Sequence, residues 1–150
     1  RLLQALEIGP HDRILEVGTG SGWMTWLLAQ FGAHVVSVEI IPELHARAAA
    51  RLPAEGVRNT TLELGDGARG WDRHAPYDAI LITGSLPILP PAFGASLAPG
   101  GRMIAIVGRP PAMEAKLIHR LDGKGPHETA LFETDLPPLI NAPAPDGFVF

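Results

Sequence analysis

Residues 13–29, RILEVGTGSGWMTWLLA, join two apolar runs through three glycines. The first run, RILEV, is short and bounded by turn-forming residues, which predicts a buried β-strand. The second, WMTWLLAQF, is apolar on nearly every side and predicts a helix covered by its neighbours. Gly18, Gly20 and Gly22 lie between them at alternate positions. Because glycine has no Cβ, such a turn lets a ligand lie directly against the backbone.

The rest of the chain alternates strand and helix patterns around this stretch. Further strands are predicted in HVVSVEI (34–40), TTLEL (60–64), YDAILIT (77–83) and RMIAIVG (102–108). Helices are predicted in RLLQALEI, stopped by Gly9-Pro10, in PELHARAAARL from Pro42 and, weakly, in AFGASLA (92–98). Since the strands are continuously apolar, they indicate a parallel sheet covered on both faces.

The last third of the chain has a different pattern. AKLIHR and ETALFET flank the glycine-containing LDGKG, which predicts an antiparallel hairpin, and the Pro-rich LPPLINAPAPDGF predicts an extended tail. The predicted fold is therefore α/β, with a doubly wound, mostly parallel, Rossmann-like sheet and a C-terminal antiparallel hairpin.

Composition excludes several classes of protein. The chain has 150 residues, 46% hydrophobic and 19% charged, as expected of one globular domain. It has no cysteine, so disulfides and thiolate chemistry are excluded. The net charge of −4 gives no reason to expect a nucleic-acid partner. We predict no membrane segment, no metal site and a cytoplasmic location, and the sequence carries no indication of oligomeric state.

Two common ligands of glycine-rich turns do not fit this one. A Walker A loop requires Gly-Lys-Ser/Thr, and residues 13–29 contain no lysine. A dinucleotide fingerprint, G-x-G-x-x-G, needs a third glycine where helix and strand pack closely. Trp23 occupies that position here. The observed pattern is instead Glu16-x-Gly18-x-Gly20-x-Gly22.

That pattern resembles the first motif of class I S-adenosylmethionine-dependent methyltransferases. Glu39 closes the second predicted strand, where a carboxylate can accept hydrogen bonds from both ribose hydroxyls. Asp66 follows the third, within reach of an adenine amino group, and Thr83 closes the fourth. Taken singly, Glu16 could cap a backbone, Glu39 could be a solvated strand end and Gly65-Asp66-Gly67 an ordinary turn. The resemblance implies S-adenosyl-L-methionine as cofactor, held by Glu16, Gly18, Thr19, Gly20, Ser21, Gly22, Glu39, Ile40, Asp66, Gly67 and Thr83.

A narrower resemblance covers nearly the whole chain. The segments ILEVGTGSGWMTWLLA, VVSVEIIPELHARAAARL, GDGARGW, APYDAILITG, LPPAFGASLAPGGRMIAIVG and LFETDLPPLINAP are similar to protein-L-isoaspartate (D-aspartate) O-methyltransferases. That family implies methyl transfer to the α-carboxyl of isoaspartyl residues in damaged proteins. The chain's substrates would then be isoaspartyl-containing peptides or proteins.

Members of the family carry a preceding segment that helps to bind the peptide. The sequence begins in mid-helix at Arg1 without that segment, so we interpret residues 1–150 as one methyltransferase domain from a longer chain. No catalytic residue is assigned. The alternatives are a non-catalytic S-adenosylmethionine-binding relative and a methyltransferase acting on another substrate, such as tRNA.

Overall fold

The structure, a computed structural model, describes residues 1–146. Its helices and strands follow one another in the predicted alternation, with a 3-10 turn at Asp72–His74. They are α1 (Leu2–Leu6), β1 (Arg13–Val17), α2 (Trp23–Phe31), β2 (His34–Glu39), α3 (Pro42–Ala54), β3 (Thr60–Leu64), β4 (Tyr77–Leu86), α4 (Pro91–Ala95), β5 (Leu97–Arg109), β6 (Ala112–His119) and β7 (His127–Thr134). No helix among these residues is long and apolar enough to cross a membrane.

All seven strands form one sheet in the order β3-β2-β1-β4-β5-β6-β7. Strands β1 to β5 are parallel, whereas β6 and β7 are antiparallel, so the predicted fold class is confirmed. The chain winds outward from β1 through β2 to β3 and then returns to β4 on the other side of β1. The strand order therefore reverses between β1 and β4, and ligands of such sheets bind at the carboxyl ends of the strands there.

Both faces of the sheet are buried, as the apolar strands predict. Helices α1, α2 and α3 cover one face, where Leu6, Leu28 and Leu52 pack on strand residues such as Val35 and Leu81. The other face is covered by the short α4, the loop after β3 and the tail. Phe93, Trp71 and Leu139 pack there against the sheet.

Two helix predictions need correction. Helix α1 ends at Leu6 and not at Gly9-Pro10, because Glu7 adopts a left-handed conformation (φ 49°) and its N–H bonds Leu3 O. Helix α2 is not covered on every side. Trp23 and Phe31 are 55% and 54% exposed, and the Trp23 ring stacks on Trp26 with centroids 5.3 Å apart.

The tail is extended around Pro138 as predicted, but it is not extended throughout, because Ile140 and Asn141 (φ 64°) form a turn in which Ala142 N–H donates to Leu139 O at 3.0 Å. Pro138 forms an isolated parallel bridge with Ser85 at the end of β4. Ser85 N–H donates to Pro137 O and Leu139 N–H donates to Ser85 O, both at 3.0 Å. The last two residues of the predicted extended stretch, 147 and 148, lie outside the described residues.

Candidate functional site

A cavity of about 220 Å³ lies at the carboxyl ends of β1, β2 and β4, where the strand order reverses. Its wall combines the glycine turn, the loop after β3 and the tail. Seven of the eleven predicted residues line it: Gly18, Gly20, Glu39, Ile40, Asp66, Gly67 and Thr83. A larger groove, of about 680 Å³, runs between α4 and the β6–β7 turn and contains none of them. The smaller cavity is the candidate site because the predicted residues converge on it.

Two positions of the glycine turn have different surroundings: Gly18 is crowded by β4, and Gly20 faces open space. Gly18 (φ +97°) lies so close to Thr83 that an added Cβ would collide with its hydroxyl. That hydroxyl donates to Val17 O and Gly18 O at 2.8 and 2.7 Å, which fixes the turn to β4. Gly20 (φ +55°) has no atom within 4 Å of an added Cβ. A side chain at Gly20 would therefore project into open space beside the cavity.

Glu39 ties the end of β2 to the glycine turn. Its side chain is 5% exposed, and Oε1 accepts a hydrogen bond from Gly20 N–H at 2.7 Å. Oε2 accepts another from Ile41 N–H at 3.1 Å. Because a carboxylate offers about four lone-pair sites, each oxygen can still accept a further donor from a ligand.

Asp66 lies across the cavity from the glycine turn and is held from two sides. Oδ1 accepts from Ala68 N–H and Oδ2 from Asn141 Nδ2, both at 3.0 Å. Asn141 belongs to the tail, and Leu139 and Ile140 beside it line the cavity. The Pro-rich pattern predicted an extended tail, but nothing in it indicates this contact with the site.

The loop after β3 is anchored at Glu63, a residue that the sequence did not single out. Trp71 Nε1 lies 3.3 Å from Glu63 Oε1, His74 Nε2 bonds the same oxygen, and Arg73 lies 2.9 Å from Oε2. Burial alone would raise the pKa of Glu63, but the hydrogen bonds from Trp71 and His74 and the nearby charges lower it. This anchor fixes both ends of the segment that carries Asp66.

Four predicted residues do not line the cavity. Glu16 and Thr19 are buried beneath the glycine turn. Gly22 faces α3, where an added Cβ would meet Ala48 and Leu52, and Ser21 O accepts a bond from Arg51 at 3.4 Å.

Glu16 is the centre of a buried polar network. Its Oε1 accepts hydrogen bonds from Ser37 Oγ at 2.6 Å and from the Thr25 hydroxyl. Ser37 Oγ lies 2.6 Å from Thr19 Oγ1. Burial raises the pKa of Glu16 to about 7, and the charge of Glu39 acts in the same direction, whereas Ser37 and Thr25 oppose the shift.

The fold and the position of the cavity define a doubly wound α/β protein whose candidate ligand site lies at the topological switch point. The sequence profile of the protein-L-isoaspartate(D-aspartate) O-methyltransferase family matches residues 1–132. The chain belongs to that family.

Curated relatives agree with this assignment. A protein-L-isoaspartate O-methyltransferase 1 from Anaeromyxobacter sp. (strain Fw109-5) is 46% identical over 143 residues, which cover 95% of this chain and 66% of that protein. A protein-L-isoaspartate O-methyltransferase from Anaeromyxobacter dehalogenans (strain 2CP-1 / ATCC BAA-258) is 53% identical over 108 residues, covering 71% of this chain and 52% of the relative. The chain thus spans about half to two thirds of these relatives.

Solved structures show the same fold. A protein-L-isoaspartate O-methyltransferase structure superposes with a TM-score of 0.86 at 23% identity, over 95% of this chain and 46% of that one. A Plasmodium falciparum structure of this type, solved in complex with S-adenosyl-L-homocysteine, gives a TM-score of 0.74 at 20% identity. That match covers 93% of this chain and 70% of the other.

Proposed function

We propose that the cavity binds S-adenosyl-L-methionine and that the protein methylates the α-carboxyl of L-isoaspartyl residues, a step in the repair of damaged proteins. The observation that carries the proposal is the convergence of Gly20, Glu39 and Asp66 on one cavity in a chain of this family. The Plasmodium falciparum structure, which was solved in complex with S-adenosyl-L-homocysteine, supports the same cofactor class.

The residues of the cavity fit this cofactor. The open space beside Gly20 is a cradle that a Cβ would fill. Glu39 keeps lone pairs with which to accept hydrogen bonds from the two ribose hydroxyls. Asp66 would accept a bond from the adenine amino group, and Gly18, Gly20, Ile40, Gly67 and Thr83 would enclose the rest. Glu16 and Thr19 would act on the cofactor through the turn, since they lie beneath it.

The proposed reaction makes few demands on side chains. The bound cofactor supplies a methyl group on a sulfonium, which is already activated for transfer. The acceptor carboxylate is ionised at neutral pH and needs no general base. This chain's residues would therefore hold the donor, align it with the acceptor and exclude water. Accordingly, we assign no catalytic acid or base.

We propose a protein substrate in preference to a nucleic acid, because the net charge of −4 offers no basic surface for phosphates. We also propose a cytoplasmic location. The absence of cysteine from the sequence suits a compartment in which disulfides do not form.

Methyl transfer from radiolabelled S-adenosylmethionine, catalysed by the full-length protein, tests this function. The acceptors are an isoaspartyl peptide, the same peptide with ordinary aspartate, and unmodified tRNA. We expect label in the isoaspartyl peptide alone. Label in tRNA but in neither peptide would contradict the proposed substrate, and binding without transfer to any acceptor would favour a non-catalytic relative.

A further inference from the structure

Glu16 is a buried ionisable group that the proposed function does not use directly. It is fully buried in β1 and does not line the cavity. Its carboxyl lies between the strand β2, the first turn of α2 and the glycine turn. Any effect of Glu16 on a ligand must therefore pass through the residues that it holds, or through its charge.

The two carboxyl oxygens of Glu16 have unequal surroundings. Oε1 accepts the hydroxyl hydrogens of Ser37 and Thr25, whereas Oε2 is buried and has no hydrogen-bond partner among the described residues. In the ionised form, Oε2 would share the negative charge without a donor from the described residues, which is costly in a buried site. A proton on the carboxyl removes that charge. The geometry therefore favours the neutral acid in the free protein.

The charged groups around Glu16 reinforce this preference. Helix α2 contributes Thr25 and no titratable side chain, and the paired residue on β4 is Leu81. Strand β2 contributes Glu39, whose negative charge raises the pKa of Glu16. From α3, Arg51 is engaged at the surface with Glu55 and Ser21 O. Thus Glu39 is the charge that acts on Glu16, and it disfavours ionisation.

The same network connects Glu16 to the part of the turn that faces the cavity. Ser37 links it to Thr19, and Thr25 links it to the start of α2. Gly20, the next residue of the turn, donates its N–H to Glu39. A change in the charge of Glu16 therefore alters the hydrogen bonds of the turn and the electrostatic potential at the Glu39 carboxylate.

We propose that Glu16 is a positioning residue that carries a proton in the free protein and releases it to solvent when S-adenosylmethionine binds. This inference rests on the proposed function. The sulfonium brings a positive charge next to the turn, and ribose hydroxyls that donate to Glu39 spread its negative charge. Both changes favour the ionised form of Glu16. S-adenosylhomocysteine lacks the sulfonium charge, so its binding releases fewer protons per site from Glu16.

Calorimetric titration in two buffers of different ionisation enthalpy, phosphate and Tris, measures the protons released. With a pKa raised to about 7, Glu16 is about half protonated at pH 7. We expect S-adenosylmethionine to release up to about half a proton from Glu16 per site in the wild type, and S-adenosylhomocysteine to release less. Glu16→Gln keeps an oxygen acceptor for Ser37 and Thr25 but cannot ionise.

The variants separate this inference from the function on which it rests. Glu16→Gln should still bind S-adenosylmethionine saturably, more weakly than the wild type because it lacks the ionised carboxylate, and should lose the Glu16 share of the release. The matched control is Glu114→Gln, an exposed residue of β6, which should release protons as the wild type does. Equal release in wild type and Glu16→Gln, with binding intact, would overturn the inference and leave the cofactor site standing. Absence of binding would overturn the proposed function and this inference with it.

A second readout needs no variant. Infrared difference spectra of the wild type at pH 7 should show that the band of a protonated carboxyl decreases when S-adenosylmethionine is added. If Glu16→Gln does not fold, the infrared spectra of the wild type by themselves test whether the proton is released. An unchanged carboxyl band on a protein that binds the cofactor would contradict the proton release.

Discussion

At the scale of single residues, the site depends on how each carboxylate and glycine is surrounded. Glu39 holds Gly20 and Ile41 through their N–H groups and still faces the cavity. Gly20, which lies beside Glu39, has no atom within 4 Å of the place that a Cβ would take. The two residues therefore make separable contributions, one through hydrogen bonds to the ligand and the other through space for it.

Glu39→Ala should weaken cofactor binding by roughly 1.5–3 kcal/mol, the range for hydrogen bonds to a charged group. This corresponds to about 10- to 150-fold in the dissociation constant. Titration with S-adenosylhomocysteine measures it. Glu43→Ala, an exposed position in the first turn of α3, serves as the control and should bind like the wild type. An unchanged affinity in folded Glu39→Ala would remove this carboxylate from the site.

Gly20→Val should abolish binding and leave the fold largely intact, because the new side chain fills ligand space and the strain at positive φ stays local. Gly56→Val is a matched control. Gly56 also has positive φ (+84°) and open space around an added Cβ, but it follows α3 and does not line the cavity. Both variants should therefore lose similar stability in thermal unfolding, and only Gly20→Val should lose the cofactor. Tight binding by Gly20→Val would show that the turn needs glycine for its conformation alone.

Some of these residues could be predicted from the sequence and others could not. Gly18, Gly20, Glu39 and Asp66 follow predicted strands, and the carboxyl ends of parallel strands meet at one edge, so their convergence follows from order along the chain. The partners of Glu16 do not follow in this way. Thr25 and Ser37 are ordinary helix and strand residues, and only the paired register of Glu16 with Ser37 and the position of α2 bring them together.

At the scale of the elements, strands were predicted more reliably than loops and helix ends. The apolar runs from β1 to β5 are long enough to indicate buried strands, and the hairpin pattern is equally clear. The end of α1 depends on the left-handed conformation of Glu7, a residue type that rarely adopts it. The anchor of the loop after β3 was not predicted, because Glu63 bonds residues eight and eleven positions further along the chain.

Glu63→Ala should loosen the segment between β3 and β4 and weaken cofactor binding through Asp66. Hydrogen exchange is expected to increase at the backbone N–H groups of residues 65–76, all of which except Pro76 carry one, whereas Glu114→Ala on β6 should leave that segment protected. Because the folded protein lowers the pKa of Glu63, its contribution to stability is present above the unfolded pKa and is lost as the pH falls through the folded value. The difference in stability between wild type and Glu63→Ala should therefore shrink in acid. Unchanged exchange at 65–76 would contradict the role of this anchor.

At the scale of the whole molecule, the cavity offers a place for the methyl donor but no evident place for the acceptor carboxylate. The cavity lining contains no arginine, lysine or serine among the described residues with which to clamp an acceptor carboxylate. The curated relatives have further length that this chain does not match. We propose that in these relatives the further length holds most of the acceptor.

Residues 1–150 expressed alone should therefore methylate an isoaspartyl peptide more slowly than the full-length relative from Anaeromyxobacter sp. (strain Fw109-5). Misplacing an acceptor by about 1 Å can cost on the order of 100-fold in rate, which sets the expected difference. Methanol release from the methylated peptide measures both rates. Equal rates would place the acceptor site within residues 1–150.

We propose that this cavity accepts S-adenosylmethionine and its product and not a dinucleotide. Trp23 occupies the position of the third dinucleotide glycine, and Gly20, Glu39 and Asp66 line one cavity at successive strand ends. Calorimetric titration of the purified protein with S-adenosylhomocysteine and, separately, with NAD tests this most directly. We predict saturable one-site binding of S-adenosylhomocysteine and no heat of binding with NAD. Binding of NAD without binding of S-adenosylhomocysteine would contradict the account.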